Sequence, residues 1–277
     1  MITLDRLTYS YRRGEKAIDS ACGHISPGIH LLLGENGAGK TTLLHCMAGL
    51  FRPDSGRCLL DGTETASHAP SVMRRMFFLP DKLEIPATTI RTFAKTHSRL
   101  YPGFSPEALN ANLREFGLDG TEDLSKSSLG TNRKTFIAYA LALGVDMLLF
   151  DEPANGLDIG SKKAMRRMIA RRVEPDQTVI VSTHNISDLR ELYDGLMLIH
   201  NGNLKICAST EEIASRLACV RSTNPIPGAL YSEQSVGVVS SLVENTSGAP
   251  GDIDYSLLYS ALMGNGDKIL SILNRPH

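Results

Sequence analysis

The sequence predicts an α/β protein, and three stretches predict it. The apolar run Ile29–Leu33 feeds the glycine-rich Gly34-Glu35-Asn36-Gly37-Ala38-Gly39-Lys40-Thr41, which opens into the helix-like Thr42–Gly49. A second apolar run, Met147-Leu148-Leu149-Phe150, stops abruptly on Asp151-Glu152-Pro153. That is the pattern of a strand buried on both faces that presents carboxylates at its C-terminal edge. A third, Thr178–Thr183, follows the helix-like 160–173 and ends on His184. Strands alternating with helices build a sheet covered by helices.

Taken in order, Thr3–Tyr9 alternates like a half-buried strand and Ala17–Ile25 is a weaker second one. Tyr9 and Tyr11 lie at this start; either ring suits stacking on a base or packing at a strand end. Pro27-Gly28 turns into the strand before the glycine-rich loop. After the first helix, 51–56 is a loop, Arg57–Leu60 a short strand, Asp61-Gly62 a hairpin turn and Phe77–Leu79 a buried strand before Pro80-Asp81. Between Pro86 and about Gly144 the periodicity turns helical, with Thr89–Leu100 and Glu107–Phe116 separated by Tyr101–Pro106, and a further helix over Thr135–Leu143. Leu196–His200 and Leu204–Cys207 flank Asn201-Gly202-Asn203 as a hairpin, and Ser209 with Glu212 forms a capping box for the helix Thr210–Leu217. Past Ala218 the texture shifts: residues 221–251 are rich in Ser, Asn, Pro and Gly, and Tyr255–Leu273 is helical. The reading is therefore a main domain over 1–217, with a helical part at about 86–144, and a C-terminal extension over 218–277.

Gly34 and Gly39 bracket four residues before Lys40 and Thr41, the spacing of a phosphate-binding loop. Its glycines let successive N–H groups turn toward phosphate oxygens, its lysine reaches the β/γ oxygens, and its threonine ligates Mg²⁺. A following helix sets those phosphates at a positive dipole end. Two acids at a strand end serve nucleotide hydrolysis: Asp151 holds Mg²⁺ through water, and Glu152 orients and deprotonates the attacking water. His184 is placed to donate to the γ-phosphate or to serve as a strand-end histidine.

With 277 residues, 42% of them apolar, the chain buries a sizeable core. A formal charge of −1 argues against a dominant polyphosphate-binding surface. Arg166-Arg167 with Arg171-Arg172 reads as a solvated helix face, with a local basic patch as the alternative. The odd count of five scattered cysteines, without a Cys-x-x-Cys pair, suits reduced thiols. No secretory signal is expected, and the longest apolar stretch, Phe136–Phe150, falls short of the ~20 residues of a membrane span. Any spans are expected on a second polypeptide.

These residues, in this order, resemble the nucleotide-binding domain of ATP-binding cassette (ABC) proteins over roughly residues 1–210. The resemblance rests on Gly34–Thr41, Met147–Glu152, the D-loop-like Asn155-Gly156-Leu157-Asp158, and His184. It places the family's signature at Ser127-Ser128-Leu129-Gly130-Thr131, where Ser128 and Gly130 keep the pattern; Ser127, Leu129 and Thr131 replace the usual Leu, Gly and Gln. Asp81 stands where the family usually has Gln, and the resemblance makes it a third candidate near Mg²⁺.

The resemblance implies a P-loop nucleoside-triphosphatase core with an antiparallel β subdomain and a helical subdomain. It implies ATP and Mg²⁺ as cofactors, nucleotide contacts from Tyr11, from Gly34 through Thr42, and catalytic roles for Lys40, Glu152 and His184. It further implies a head-to-tail dimer in which Ser128, Gly130 and Thr131 reach the partner copy's ATP beside Asp158. The implied function is the ATPase subunit of a transporter, exporter-like, at the cytoplasmic face of the membrane beside a separate polytopic subunit, with no direct nucleic-acid contact. The alternative is a soluble ABC ATPase acting on nucleic acid or ribosomes.

Overall fold

The computed structural model describes residues 1–12, 14–184 and 193–275, apart from the side chains of Arg172 and Asn265. Arg172, part of the expected arginine face, thus has its side chain outside the described residues.

The chain starts with β1 (Ile2–Arg12) and β2 (Glu15–Ile25), runs through β3 (Gly28–Leu33) and α1 (Lys40–Met47), and returns through β4 (Ser55–Leu60) and β5 (Thr63–Glu64). β1 pairs antiparallel with both β2 and β4, giving a four-stranded sheet in the order β2-β1-β4-β5. The alternation in β1 slips after Leu4, where Arg6 adopts φ 46° and the register shifts, so that Ile2, Leu4 and Leu7 all face the core.

Next come α2 (Pro70–Met73) and β6 (Met76–Leu79), then the helical part: α3 (Ile90–His97), α4 (Pro106–Glu115) and α5 (Leu129–Ala140). Each of these three helices is capped by a hydroxyl, from Thr89, Ser105 and Ser128, accepting a first-turn N–H. α5 therefore begins six residues before the expected Thr135, because the cap at Ser128 is stronger than the weak apolar periodicity of its first turn.

β7 (Met147–Asp151), α6 (Ile159–Arg172), β8 (Thr178–Thr183), β9 (Gly195–His200) and β10 (Asn203–Ser209) complete the second sheet, six strands in the order β10-β9-β3-β8-β7-β6. Its β3-β8, β8-β7 and β7-β6 pairs are parallel. β7 and β8 are buried along their whole length, which is why they read as unbroken apolar runs rather than alternation. Asn201 (φ 47°) and Gly202 (φ 75°) make the tight β9-β10 turn, matching the expected hairpin.

The chain divides into two compact units, one of residues 1–193 with 197–207 and the other of 194–196 with 208–277. In the second, α7 (Thr210–Arg216) is opened by the Ser209–Glu212 capping box. β11 (Leu217–Ser222), β12 (Tyr231–Ser235) and β13 (Val238–Glu244) form an antiparallel sheet in the order β11-β13-β12, followed by α8 (Tyr255–Leu273). The composition change lies at 218, yet the unit starts earlier: Arg216 donates to the Ile272 carbonyl and Gly251 N–H donates to Ala214, tying α7 to the C-terminal segments.

Candidate functional site

Parallel register builds the site. β3 and β8 pair Leu33 with Thr183, and β7 and β8 pair Asp151 with Ser182. The ends of three strands thereby bring the glycine-rich loop, the acids and His184 to one edge, the place where open α/β sheets take ligands. An open cavity of about 860 Å³ lies there. Tyr11, Glu35, Asn36, Gly37, Gly39, Lys40, Thr41, Thr42, Asp81, Asp151, Glu152 and His184, all expected from sequence, line it.

Gly39 precedes the first turn of α1 at φ 110°, a conformation costly for a residue with a Cβ. A Cβ on Gly34 would lie 2.5 Å from the Ile199 carbonyl oxygen, so the loop leaves β3 where only glycine fits. Gly34 and Ala38 thus form the loop's inner wall; Ala38 is 3% exposed and packs in the core. Lys40 is buried beneath the loop, where its ammonium donates to the Gly34 carbonyl (2.8 Å) and the Glu35 carbonyl (3.3 Å) and lies 3.3 Å from Glu152 Oε1.

Thr41 Oγ1 donates to Asp151 Oδ2 at 2.7 Å. Asp151 is 2% exposed, and its other oxygen accepts from Ser182 Oγ at 2.6 Å. Ser182, fully buried, also accepts the Glu152 N–H at 2.9 Å. Glu152 itself sits at φ 47°, and its carboxylate Oε1 lies 3.1 Å from His184 Nδ1. The bend takes the Glu152 N–H out of the sheet ladder, and the Ser182 hydroxyl supplies the acceptor that the ladder no longer offers. Ser182 was missed by sequence reasoning because only the β7-β8 register shows which strand residue faces Asp151.

At the mouth, the Tyr11 hydroxyl shares a hydrogen bond of 2.9 Å with Thr42 Oγ1, and its ring meets Tyr9 and Phe51 edge-on. Tyr9 stacks on Phe51 at 4.9 Å instead, which leaves Tyr11, 59% exposed, as the ring on the cavity. Asp81 Oδ1 accepts from Asn155 Nδ2 at 3.1 Å and from the Arg133 guanidinium at 3.3 Å. Arg12, Glu15, Lys16, Ala17, Asn155, Asn201 and Gly202 also line the cavity; the turn residues come from the β9-β10 hairpin, whose approach no local motif announces.

Ser128, Gly130, Thr131 and Asp158 are brought together elsewhere and do not line the cavity. Ser128 caps α5, accepting from Thr131 N–H at 3.1 Å. A Cβ on Gly130 would stand 3.0 Å from the Gly156 carbonyl oxygen, and Lys134 pairs with Asp158 at 3.3 Å. Asp158 caps α6, and its hydrogen bonds from the Ser161 N–H and hydroxyl, with Lys134 beside it, hold its carboxyl well below the usual carboxylate range. Leu129 (78% exposed) and Ile159 (75%) crown this second patch.

An ABC transporter family model matches residues 24–155, a span that includes both the phosphate loop and the strand-end acids. The SkfA peptide export ATP-binding protein SkfE of Bacillus subtilis (strain 168) is 31% identical over 211 residues, 74% of this chain and 87% of that protein. The ABC transporter ATP-binding protein NatA of the same organism is 32% identical over 62% of this chain and 73% of its own length. The bacitracin transport ATP-binding protein BcrA of Bacillus licheniformis is 31% identical over 69% of this chain and 64% of its own. Among solved structures, the dimeric post-hydrolysis state of the ATP-binding cassette MJ0796 bound to ADP and Pi shares the fold, with a TM-score of 0.66 and 21% identity over 76% of this chain and 98% of that one. With a family model across the phosphate loop and the strand-end acids and nearly a third identity along most of several curated members, the chain belongs to the ABC transporter family, as an ATP-binding subunit that hydrolyses ATP to power transport.

Proposed function

We propose that this ATPase drives export through a separate membrane-spanning subunit, itself sitting peripherally on the cytoplasmic face of the membrane. The observation that carries the reading is the likeness to SkfE, an export ATP-binding protein matched over 87% of its length. Among the described residues no helix is long and apolar enough to cross a membrane; in this reading the spans belong to the partner.

Within the cavity, the loop N–H groups from Gly34 to Thr42 and the Lys40 ammonium bind the triphosphate, Tyr11 stacks on adenine, and His184 donates to the γ-phosphate. Glu152 orients and deprotonates the attacking water. Thr41 Oγ1 and the Asp151 carboxylate, 2.7 Å apart, are hard oxygen donors in the same cavity as Asp81. Such a set fits Mg²⁺, which takes one or two carboxylates and completes its shell with phosphate and water. Bound there, the ion would supply positive charge to neutralise the triphosphate. Ser128, Gly130 and Thr131 serve the ATP of a second copy, with Asp158 at the same face.

The test uses the Glu152→Gln chain, tagged in its native host, with membranes solubilised in ATP and Mg²⁺. A stoichiometric partner carrying several apolar stretches of about 20 residues is the expected result. Recovery with ribosomes or nucleic acid alone would replace export with a soluble ABC ATPase role. In the isolated protein, Lys40→Ala abolishes ATP binding, whereas Glu152→Gln keeps it and loses turnover. A Glu152→Gln chain hydrolysing at the wild-type rate would refute the base assignment.

A further inference from the structure

Five carboxylates line the cavity that takes ATP: Glu15 and Glu35, both exposed to solvent, and Asp81, Asp151 and Glu152. Asp151 and Glu152 are held by Thr41 and Ser182, and by Lys40 and His184, respectively. Asp81 is held by one residue of the cavity wall, Asn155, and by one from outside it, Arg133. Arg133, on the second turn of α5, is 8% exposed and reaches across to the loop after β6. Its guanidinium donates to the Pro80 carbonyl at 3.2 Å, to the Asp81 carbonyl, and to Asp81 Oδ1 at 3.3 Å. Asn155, beyond β7, donates to the same Oδ1 at 3.1 Å.

A buried guanidinium is costly unless its fork is paired and hydrogen-bonded, and here the loop after β6 supplies its acceptors among the described residues. The converse holds for Asp81. An unpaired carboxylate beside a triphosphate repels it. Arg133 and Asp81 therefore neutralise one another at a place where either alone would be harmful.

We propose that Arg133 is a positioning residue for ATP binding: it neutralises Asp81 and holds that carboxylate's loop in place, so that the cavity accepts a triphosphate despite this acid. The pair also fastens the loop after β6 to the helix that Ser128 opens, so α5 and the cavity mouth are held as one piece. The inference rests on the cavity being the ATP site.

The experiment measures equilibrium binding of a fluorescent ATP analogue, in EDTA so that no divalent ion compensates the charge, to the full chain at low and high salt. Wild type failing to bind would sink the ATP-site reading itself. Given wild-type binding, Arg133→Gln is expected to weaken affinity about tenfold at low salt, with a deficit that narrows as ionic strength rises. Adding Asp81→Asn to Arg133→Gln is expected to restore affinity to within about threefold of wild type. A merely structural arginine predicts neither the salt dependence nor the rescue, since removing the second partner mends no packing. Unchanged affinity in a folded Arg133→Gln protein, or failure of Asp81→Asn to rescue it, would overturn the proposal. If Arg133→Gln does not fold, Arg133→Lys keeps the charge without the fork. It is expected to bind within about threefold of wild type, and a tenfold loss would overturn the charge argument.

Discussion

Glu152 occupies a backbone conformation, φ 47°, that a non-glycine residue holds only when its surroundings impose it. The imposing group is Ser182. Its hydroxyl both accepts the Glu152 N–H at 2.9 Å and donates to Asp151 Oδ1 at 2.6 Å, so one buried side chain fixes the direction of two acids. Ser182→Ala leaves a buried N–H without its acceptor and removes a hydrogen bond to a charged group, about 1.5–3 kcal/mol. Turnover should fall about 10- to 100-fold while ATP affinity stays within about threefold. If Ser182 acts by aiming Glu152, the loss largely disappears on a Glu152→Gln background, because the two changes disable the same function. Additive losses in steady-state hydrolysis would instead make Ser182 a support of the strand alone. The glycine-rich loop and the acids were legible in the sequence because their chemistry is contiguous along the chain. Ser182 and Arg133 were not, because each acts on a residue tens of positions away that only strand register or a helix start brings near.

At the scale of elements, α3 and α5 meet through aromatic rings. His97 stacks on Phe93 with ring centres 4.8 Å apart, and its Nδ1 shares a hydrogen bond of 2.9 Å with the hydroxyl of Tyr139, a fully buried residue of α5. Burial lowers the His97 pKa, as it does that of His45 in α1. Both imidazoles are therefore favoured neutral in the fold and take up protons more readily once unfolded. Stability is fully present above the unfolded value of about 6.5 and is lost as pH falls below it toward the lowered folded values. Thermal melts of the chain should shift down between about pH 7.5 and 5.5. His97→Phe gives up the bond to Tyr139, about 1 kcal/mol at neutral pH, but escapes the protonation penalty, so its gap to wild type should narrow in acid. A gap that widens would place the charged imidazole in the fold. The helical segment was legible from its punctuation, yet the extent of α5 was hidden in its cap. The antiparallel sheet of the second unit went unread altogether. β12 is Tyr-Ser-Glu-Gln-Ser and half-exposed to exposed throughout, and β12 and β13 join through the hydroxyls of Ser232 and Ser241 at 2.8 Å. Polar strands of this kind carry little period-2 apolar signal.

For the whole molecule, the two patches on the first unit make a claim about assembly. The cavity is lined by the phosphate loop and the acids, whereas the Ser128–Thr131 turn lies outside it beside Gly156 and Asp158. A chain that used that turn on its own nucleotide would need it in the cavity; a chain that offers it to a second copy would show it on the surface, as Leu129 at 78% and Ile159 at 75% exposure are. If that face meets a second copy's nucleotide, as proposed, hydrolysis should depend on protein concentration, and Glu152→Gln with ATP and Mg²⁺ should run at twice the mass of one chain in light scattering. Leu129→Glu separates assembly from binding. Its side chain is 78% exposed, so the fold and the single-chain affinity for ATP should be unchanged. Were it set against a partner's triphosphate, however, the new carboxylate would meet like charge at an interface, a mismatch worth several kcal/mol. The dimer of the Glu152→Gln background should then be lost, and turnover on the otherwise native chain should fall at least about tenfold. A Leu129→Glu protein that still dimerises and hydrolyses as wild type would mean that this patch faces something other than a second nucleotide, and that the cavity at the phosphate loop is sufficient for catalysis.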